Sequence, residues 1–439
     1  MISKRTYLIL VVFLVFALWP QAGLSQQALT LSESIDMALK NSFVLNIAKE
    51  GTKGATAQKR EALTGFLPRF STSYSYRRLS EEPSVQLPFP PGEMTTGTRN
   101  NYNWNIEARQ PLFAGGGIIA NYMASRIGED VASIEEKARY QDVVQEVKIS
   151  YFDVLRAQRV LEAADQSVRM LEAHRDVADN YFQVGFIAKN DLLRAEVELA
   201  NGRQTLIRAQ NAVDMAKSRF NTLLKRRIFE PVEIVDILNY QPLDQSLEEC
   251  LAIAKENRPE LKVASLKAEQ ASKAVWVARS ELFPSLSLVG NYARFGDEAS
   301  VSGSKFQDAE SWYVMAVATW NFWEWGRTKF RVDASKAREN QAIETSKEVN
   351  DQITLEIKNA YLLLREAENQ IVVSEKVIEQ AEENFRISEE RYKERVSTST
   401  EVLDAQTLLT RAKSQYANAL GDYNINYAKL QRAMGIIGP

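Results

Sequence analysis

The chain has 439 residues, with 54 Lys and Arg against 57 Asp and Glu, and a formal net charge of −3. So even a balance gives no footing for nucleic-acid binding, which needs a basic stripe. A single cysteine, Cys250, excludes a disulfide framework and a cysteine-based metal site.

At the N-terminus, Lys4 and Arg5 precede an apolar run from Tyr7 to Trp19, and Gly23-Leu24-Ser25 offers small residues for cleavage. This pattern predicts a secretory signal peptide over residues 1–25, too short and wrongly flanked for a membrane span. Losing Lys4 and Arg5 with it takes the net charge from −3 to about −5.

From Leu31 onwards the chain is written twice. Leu31, Ala38, Asn41, Leu45, Ala48, Pro68 and Tyr76 fall on Leu247, Ala254, Asn257, Leu261, Ala264, Pro284 and Tyr292 at one constant offset. The match resumes with Tyr151 on Tyr361, Leu193 on Leu403 and Ala195 on Ala405. A unit of roughly two hundred residues is too long for a solenoid repeat and reads as a duplicated domain. The first copy covers residues 26–226, a linker 227–246 and the second copy 247–439. Pro231 and Pro242 break any helix in the linker.

Each copy opens with a predicted helix, Ser32 to about Leu63 in the first, with Ile35, Ala38, Leu39, Leu45 and Ile47 at helical spacing. Pro68 and Pro284 end these helices and turn the chain towards extended structure. Strands follow, at about 69–80 and 100–113 in the first copy and about 285–295 and 311–323 in the second. In the first, Asn101, Asn103, Asn105, Glu107 and Arg109 alternate with Tyr102, Trp104, Ile106 and Ala108. One face is therefore hydrophilic and the other rich in aromatics. The loops between strands are Leu79–Thr98, rich in Pro, and Gly296–Glu310.

Both hairpins feed very long helical stretches, about Gly117 to Phe182 and Arg327 to Tyr392, each about 100 Å if unbroken. Val147, Val154, Leu161 and Val168 step by sevens, as do Leu192, Leu199, Leu206, Val213 and Phe220, and Val402, Leu409, Tyr416, Tyr423 and Leu430. Such a register fits coiled-coil packing; an ordinary helical bundle carries the same stripe.

No apolar run after the leader is long enough for a spanning helix. Strands that enter a membrane must close into a barrel, because every backbone polar group has to be paired. Four strands are too few, whereas three copies of the chain would supply about twelve, a size compatible with a water-filled lumen.

Enzyme chemistry has little support: no phosphate loop, nucleophile elbow or HExxH motif is present, and His174 is the only imidazole. A lone histidine in a helix is far more often a surface or core residue than a catalyst. The expectation is no catalytic residue, no metal and no cofactor.

Pro111-Leu112-Phe113-Ala114-Gly115-Gly116, closing a strand before a long helix, resembles the hairpin exit of TolC-like outer membrane efflux proteins. So do Phe182-Gln183-Val184-Gly185 with Asp191-Leu192-Leu193-Arg194-Ala195, and Tyr392-Lys393-Glu394-Arg395 with Glu401-Val402-Leu403-Asp404-Ala405. The resemblance spans nearly the whole mature chain. It implies a mainly α fold with a pair of β-hairpins: a long antiparallel coiled-coil α-barrel joined to a trimeric 12-stranded outer-membrane β-barrel. The implied function is that of an exit duct reaching from the outer membrane into the periplasm. Its partners would be a homotrimer mate, a periplasmic adaptor protein and an inner-membrane pump of RND, ABC or MFS type, without nucleic acid.

By the same resemblance Phe182, Gly185, Tyr392 and Arg395 mark adaptor-docking tips. Asp191, Glu401 and Asp404 would belong to a periplasmic gate or acidic ring. Tyr102, Trp104 and Trp312 would face lipid. Arg395 departs from the family's glycine and is expected to pair with an acidic adaptor residue or a nearby carboxylate. The competing class is a coiled-coil structural or adhesive envelope protein, which would need no amphipathic hairpins; a periplasmic hydrolase lacks an acid–base constellation.

Overall fold

The computed structural model describes residues 28–438. The expected leader lies outside them. The first copy contains α1 (Leu31–Asn41), α2 (Phe43–Thr64), β1 (Arg69–Arg78), β2 (Ser84–Pro88), β3 (Pro91–Thr95), β4 (Asn100–Ala114), α3 (Gly117–Gln183) and α4 (Lys189–Leu224). The second contains α5 (Leu247–Asn257), α6 (Pro259–Ser280), β5 (Ser285–Gly296), β6 (Glu310–Thr319), α7 (Arg327–Lys393) and α8 (Ser399–Ala433). Helices α3 and α7 are each 67 residues long, so they span about 100 Å.

Three features differ from the sequence reading. The opening helix is two helices in both copies, broken at Ser42 and at Arg258, whose ψ angles of 120° and 114° are extended. Ser42 is buried and its Oγ accepts the Leu45 N–H at 3.2 Å, starting α2 afresh. Arg258 is followed by Pro259, which suits the first turn of a helix because it has no N–H to leave unpaired there. Second, the proline-rich loop folds into an extra hairpin, β2 against β3, in a separate sheet. Third, β6 stops at Thr319 rather than near 323. Its partner β5 begins at Ser285, opposite Thr319, immediately after Pro284, so nothing remains for residues beyond Thr319 to pair with.

The main sheet is antiparallel, in the order β1-β4-β5-β6. The central β4–β5 ladder joins the two copies. Strands β1 and β6 each have one edge unpaired within the chain.

The helices form a layer. Towards the sheet, α2, α3, α6 and α7 pack in that order; towards the far end the order is α4, α3, α8, α7. Where these halves meet, Tyr151 is fully buried among Val144, Val147, Val154, Phe220 and Leu224. Its hydroxyl donates to the Leu29 carbonyl at 3.1 Å and the Val235 carbonyl at 2.6 Å. The linker is thereby held against the start of the first copy, where Leu29 and Ile234 also form a parallel bridge. Cys250 and Ser34, equivalent positions in the two copies, are both fully buried helix-packing residues.

The second copy adds an ion cluster here. Arg432 Nη2 lies 2.7 Å from Asp142 and 2.5 Å from Glu260. Arg258 Nη2 lies 2.7 Å from Glu356, and its Nη1 donates to the Arg432 carbonyl at 2.6 Å. Both guanidinium groups are buried. Their hydrogen bonds to carboxylates and to main chain offset the cost of removing them from water.

Candidate functional site

At the end of the molecule remote from the sheet, two helical hairpins turn side by side. In the first, the N–H groups of Val184, Gly185 and Phe186 donate to the carbonyls of Asn180, Phe182 and Tyr181. In the second, Glu394, Arg395 and Val396 donate to Glu390, Tyr392 and Arg391. These crossed bonds are the Schellman pattern of a helix C-terminus, which requires a left-handed residue. Gly185 supplies it at φ +78° and Arg395 at φ +63°. Glycine adopts this conformation freely, whereas a side chain there costs about 1–2 kcal/mol.

Among the described residues the Arg395 side chain meets aromatic rings rather than a neighbouring carboxylate of its own chain. Its guanidinium carbon lies 4.0 Å from the centre of the Phe186 ring and 5.8 Å from that of Tyr181. Both rings belong to the other hairpin. The planar cation sits on their electron-rich faces, an attraction of about 0.5–1 kcal/mol when exposed.

The stack continues inwards. Tyr181 lies 5.7 Å from Tyr392, and Tyr392 lies 5.0 Å from the His174 ring, centre to centre. Read in order, Phe186, Arg395, Tyr181, Tyr392 and His174 alternate between the two copies. Polar bonds reinforce the crossing: Tyr181 Oη donates to the Lys393 carbonyl at 3.1 Å, Arg194 donates to Thr400 Oγ1, and His174 Nε2 is 2.8 Å from Ser399 Oγ. His174 and Tyr392 are buried, at 9% and 4% exposure. Burial pushes the imidazole below its ordinary value, with Glu389 opposing. It pushes the Tyr392 phenol up, and Tyr181 and Asp191 add to that rise.

The residues anticipated at the tips divide. Gly185, Tyr392 and Arg395 lie in or beside this stack, and Phe182 contributes its carbonyl to the first turn. Asp191 is half-buried in the first turn of α4. Glu401 and Asp404 are exposed, opposite the face of α8 that buries Val402, Leu403, Ala405 and Gln406. Glu401 also accepts from Ser397 Oγ at 2.7 Å, beside the Thr398 cap of the helix. Tyr181, Phe186, His174, Arg194, Ser399 and Thr400 were not anticipated. The aromatic density around Gly185 was a usable signal; the partners across the copies were not.

The opposite end of the molecule carries the sheet. Directly opposed residues point to the same side of a sheet. Tyr74 opposes Trp104, Ile106 opposes Tyr292, and Tyr292 opposes Trp312. Tyr102, Trp104 and Trp312 therefore share one face, with Phe70, Tyr74, Tyr76, Tyr292 and Val314. Trp312 and Val314 are 73% and 62% exposed, so this face is an open apolar surface of the kind that a partner or a membrane covers. The other face carries Ser71, Ser73, Ser75, Asn103, Asn105, Glu107 and Arg109 on β1 and β4, and Val289, Asn291, Tyr313, Met315 and Val317 on β5 and β6, so it is hydrophilic in the first hairpin and mixed in the second. Among the described residues no helix is long and apolar enough to cross a membrane.

A two-copy chain of this order has a match among known proteins. The sequence profile of outer membrane efflux proteins fits residues 34–224 and 251–436, one span for each copy. The chain belongs to the outer membrane efflux protein family. Within that family it is 22% identical over 297 residues to nodulation protein T of Rhizobium leguminosarum bv. trifolii, covering 66% of this chain and 62% of that protein. It is 20% identical over 337 residues to outer membrane protein TolC of Escherichia coli, covering 73% and 67%. The chain thus spans a little under two thirds of the nodulation protein's length. The fold is similar to the Campylobacter jejuni CmeC outer membrane channel, with a TM-score of 0.80 at 20% identity over 92% of this chain and 85% of that one.

Proposed function

We propose that three copies of this chain form a passive export duct, with a twelve-stranded β-barrel in the outer membrane and an α-helical tunnel reaching into the periplasm. The observation that carries this reading is the sheet: one aromatic face, an opposite face that is hydrophilic across β1 and β4, and two unpaired edges. Four strands cannot close a barrel, so β6 of one copy pairs with β1 of the next, and the ring satisfies every backbone group. The aromatic face, with Tyr102, Trp104 and Trp312, meets lipid. The opposite face lines the water-filled lumen.

The helices support the same closure. At the free edges of the layer, α4 exposes Leu193, Val197, Ile207 and Met215, and α7 exposes Leu355, Leu362, Val372 and Val373. Each edge is apolar where a neighbouring copy would cover it.

The tips are the working end. A periplasmic adaptor docks there, and an inner-membrane pump supplies the energy. Small molecules are the expected cargo. Glu401 and Asp404, repeated three times around the mouth, form acidic rings that favour cations. Opening requires the helical pairs to swing outwards as largely rigid bodies.

The test is direct. Purified full-length protein should behave as a trimer by native mass spectrometry and should conduct in planar lipid bilayers. A monomer with a water-soluble sheet and no conductance would remove the duct.

A further inference from the structure

The alternating stack at the tips has a consequence for when the mouth opens. The two hairpins of one chain are joined there through a small group of side chains, only one of which is of a type whose unperturbed charge change falls between pH 5 and 8. That one is the only histidine in the chain.

His174 comes from α3 of the first copy. Around it stand Tyr392 from α7 and Ser399 from the start of α8, both of the second copy. The charged groups nearby are Glu389 and Lys393 on α7, 3.1 Å apart; Arg175 and Asp176 beside it on α3, also 3.1 Å apart; Arg194 and Asp191 on α4; and Arg395 at the turn. Of these, Glu389 acts on the imidazole to favour its charged form, and burial outweighs it. The ring is buried, and its hydrogen-bond partner is the uncharged Ser399 hydroxyl, an arrangement that suits a neutral imidazole.

We propose that the stack from His174 to Phe186 is an intramolecular clasp holding the two tips of one chain together, and that protonating His174 loosens it, so the mouth yields on acidification. This inference rests on the duct reading for its consequence and on the stack alone for its mechanism.

The sign follows from proton counting. In the clasped state the imidazole titrates below its ordinary value of about 6.5; in a released state it meets water and titrates near that value. The released state therefore binds more protons, and lowering the pH favours it. The clasp is at full strength above about pH 6.5 and weakens below. The shift is up to about tenfold per pH unit for each chain, until the clasped form titrates too.

Arg395 is the second component. A bulky residue held at positive φ is strained relative to glycine, and the contact with Phe186 and Tyr181 compensates. Removing that contact should release the clasp without altering its pH response.

The experiment uses the full-length trimer. Open probability in planar bilayers and the amide opening constant at residues 181–188 and 392–399, taken as the exchange rate divided by the base-catalysed intrinsic rate at each pH, are measured from pH 7.5 to 5.5. In the unaltered protein both should rise at least fivefold on acidification. His174→Gln, which keeps a hydrogen-bonding side chain without titrating, should abolish the pH response in both measurements. Ser399→Ala should retain the response, and Arg395→Gly should raise both readings at pH 7.5. A His174→Gln protein with an unchanged pH response, or an unaltered protein with none in amide exchange, overturns the clasp. Absence of conductance at every pH overturns the duct, while the exchange measurements still decide the clasp.

Discussion

The guanidinium of Arg395 stands 4.0 Å from the centre of the Phe186 ring, and these two residues belong to different copies of the duplicated domain. A cation stands where the equivalent turn of the first copy has Gly185, at a position that requires a left-handed residue, and the two turns make the same hydrogen bonds. The first prediction concerns that trade. Arg395→Ala keeps most of the backbone strain and loses the contact, so amide protection at Phe186 and Ile187 should fall about twofold to fivefold, equivalent to about 0.5–1 kcal/mol. Unchanged protection in hydrogen exchange would mean that the stack contributes nothing to order at the tip.

The acidic pair Glu401 and Asp404 gives the second prediction. Both carboxylates are exposed on one face of α8, a turn apart. Replacing both by glutamine should reduce cation preference, measured as a shift of the reversal potential across a planar bilayer under a salt gradient. If the reversal potential stays where it was, the pair lies outside the conduction path and serves only the start of its helix.

Strand edges allow a third. Cys250 is fully buried, so cysteines introduced on the sheet react alone. One cysteine at Ser71, Ser73 or Ser75 of β1 and one at Tyr313 or Met315 of β6 should give, in at least one combination, oxidised species of two and three chains on denaturing gels. Intramolecular bridges or none at all, across every combination, would argue against edge-to-edge closure.

The fourth prediction is about stability. Burial alone would raise the Glu260 carboxyl, but Arg432 and Arg258 outweigh it and hold the group below the usual carboxylate range. A carboxylate lowered in this way stabilises the fold above about pH 4.5, and that contribution is lost as the pH falls through the lowered value. Arg432→Met leaves Glu260 and Asp142 without their shared partner. The cost should be about 2 kcal/mol, less than for a buried charge left alone, because Glu260 keeps Arg258 at 2.9 Å and Asp142 keeps Arg139 at 3.0 Å. Thermal melting of the detergent-solubilised protein at pH 7 and pH 4 reads both effects: the variant should melt lower at pH 7 and show a smaller difference between the two pH values.

Period and spacing made much of this architecture legible in advance. The long helices are continuous seven-step patterns, and the first hairpin alternates cleanly, so hydrophobic period alone places them. The break at Arg258 was also readable, since Pro259 fits a first helical turn, but the apolar stripe continues across it and masks the interruption. At Ser42 only a cap marks the break. The β2–β3 hairpin escaped because prolines at both ends of its turn read as loop. The tips show the limit most clearly. Gly185 and Arg395 could be located by their turns, yet Arg395 finds its partners about two hundred residues away in sequence. No local pattern encodes a contact between copies, and a lone histidine carries no sign of burial.

The two unpaired edges of the sheet belong to different copies of the domain, β1 to the first and β6 to the second. Two chains joined through these edges leave one edge of each kind open, as does a row of any length. A row can end only by meeting its own beginning. In the proposed ring, assembly then has no comfortable intermediate, because every partial species exposes the same two reactive seams as the single chain. The final chain must satisfy both at once.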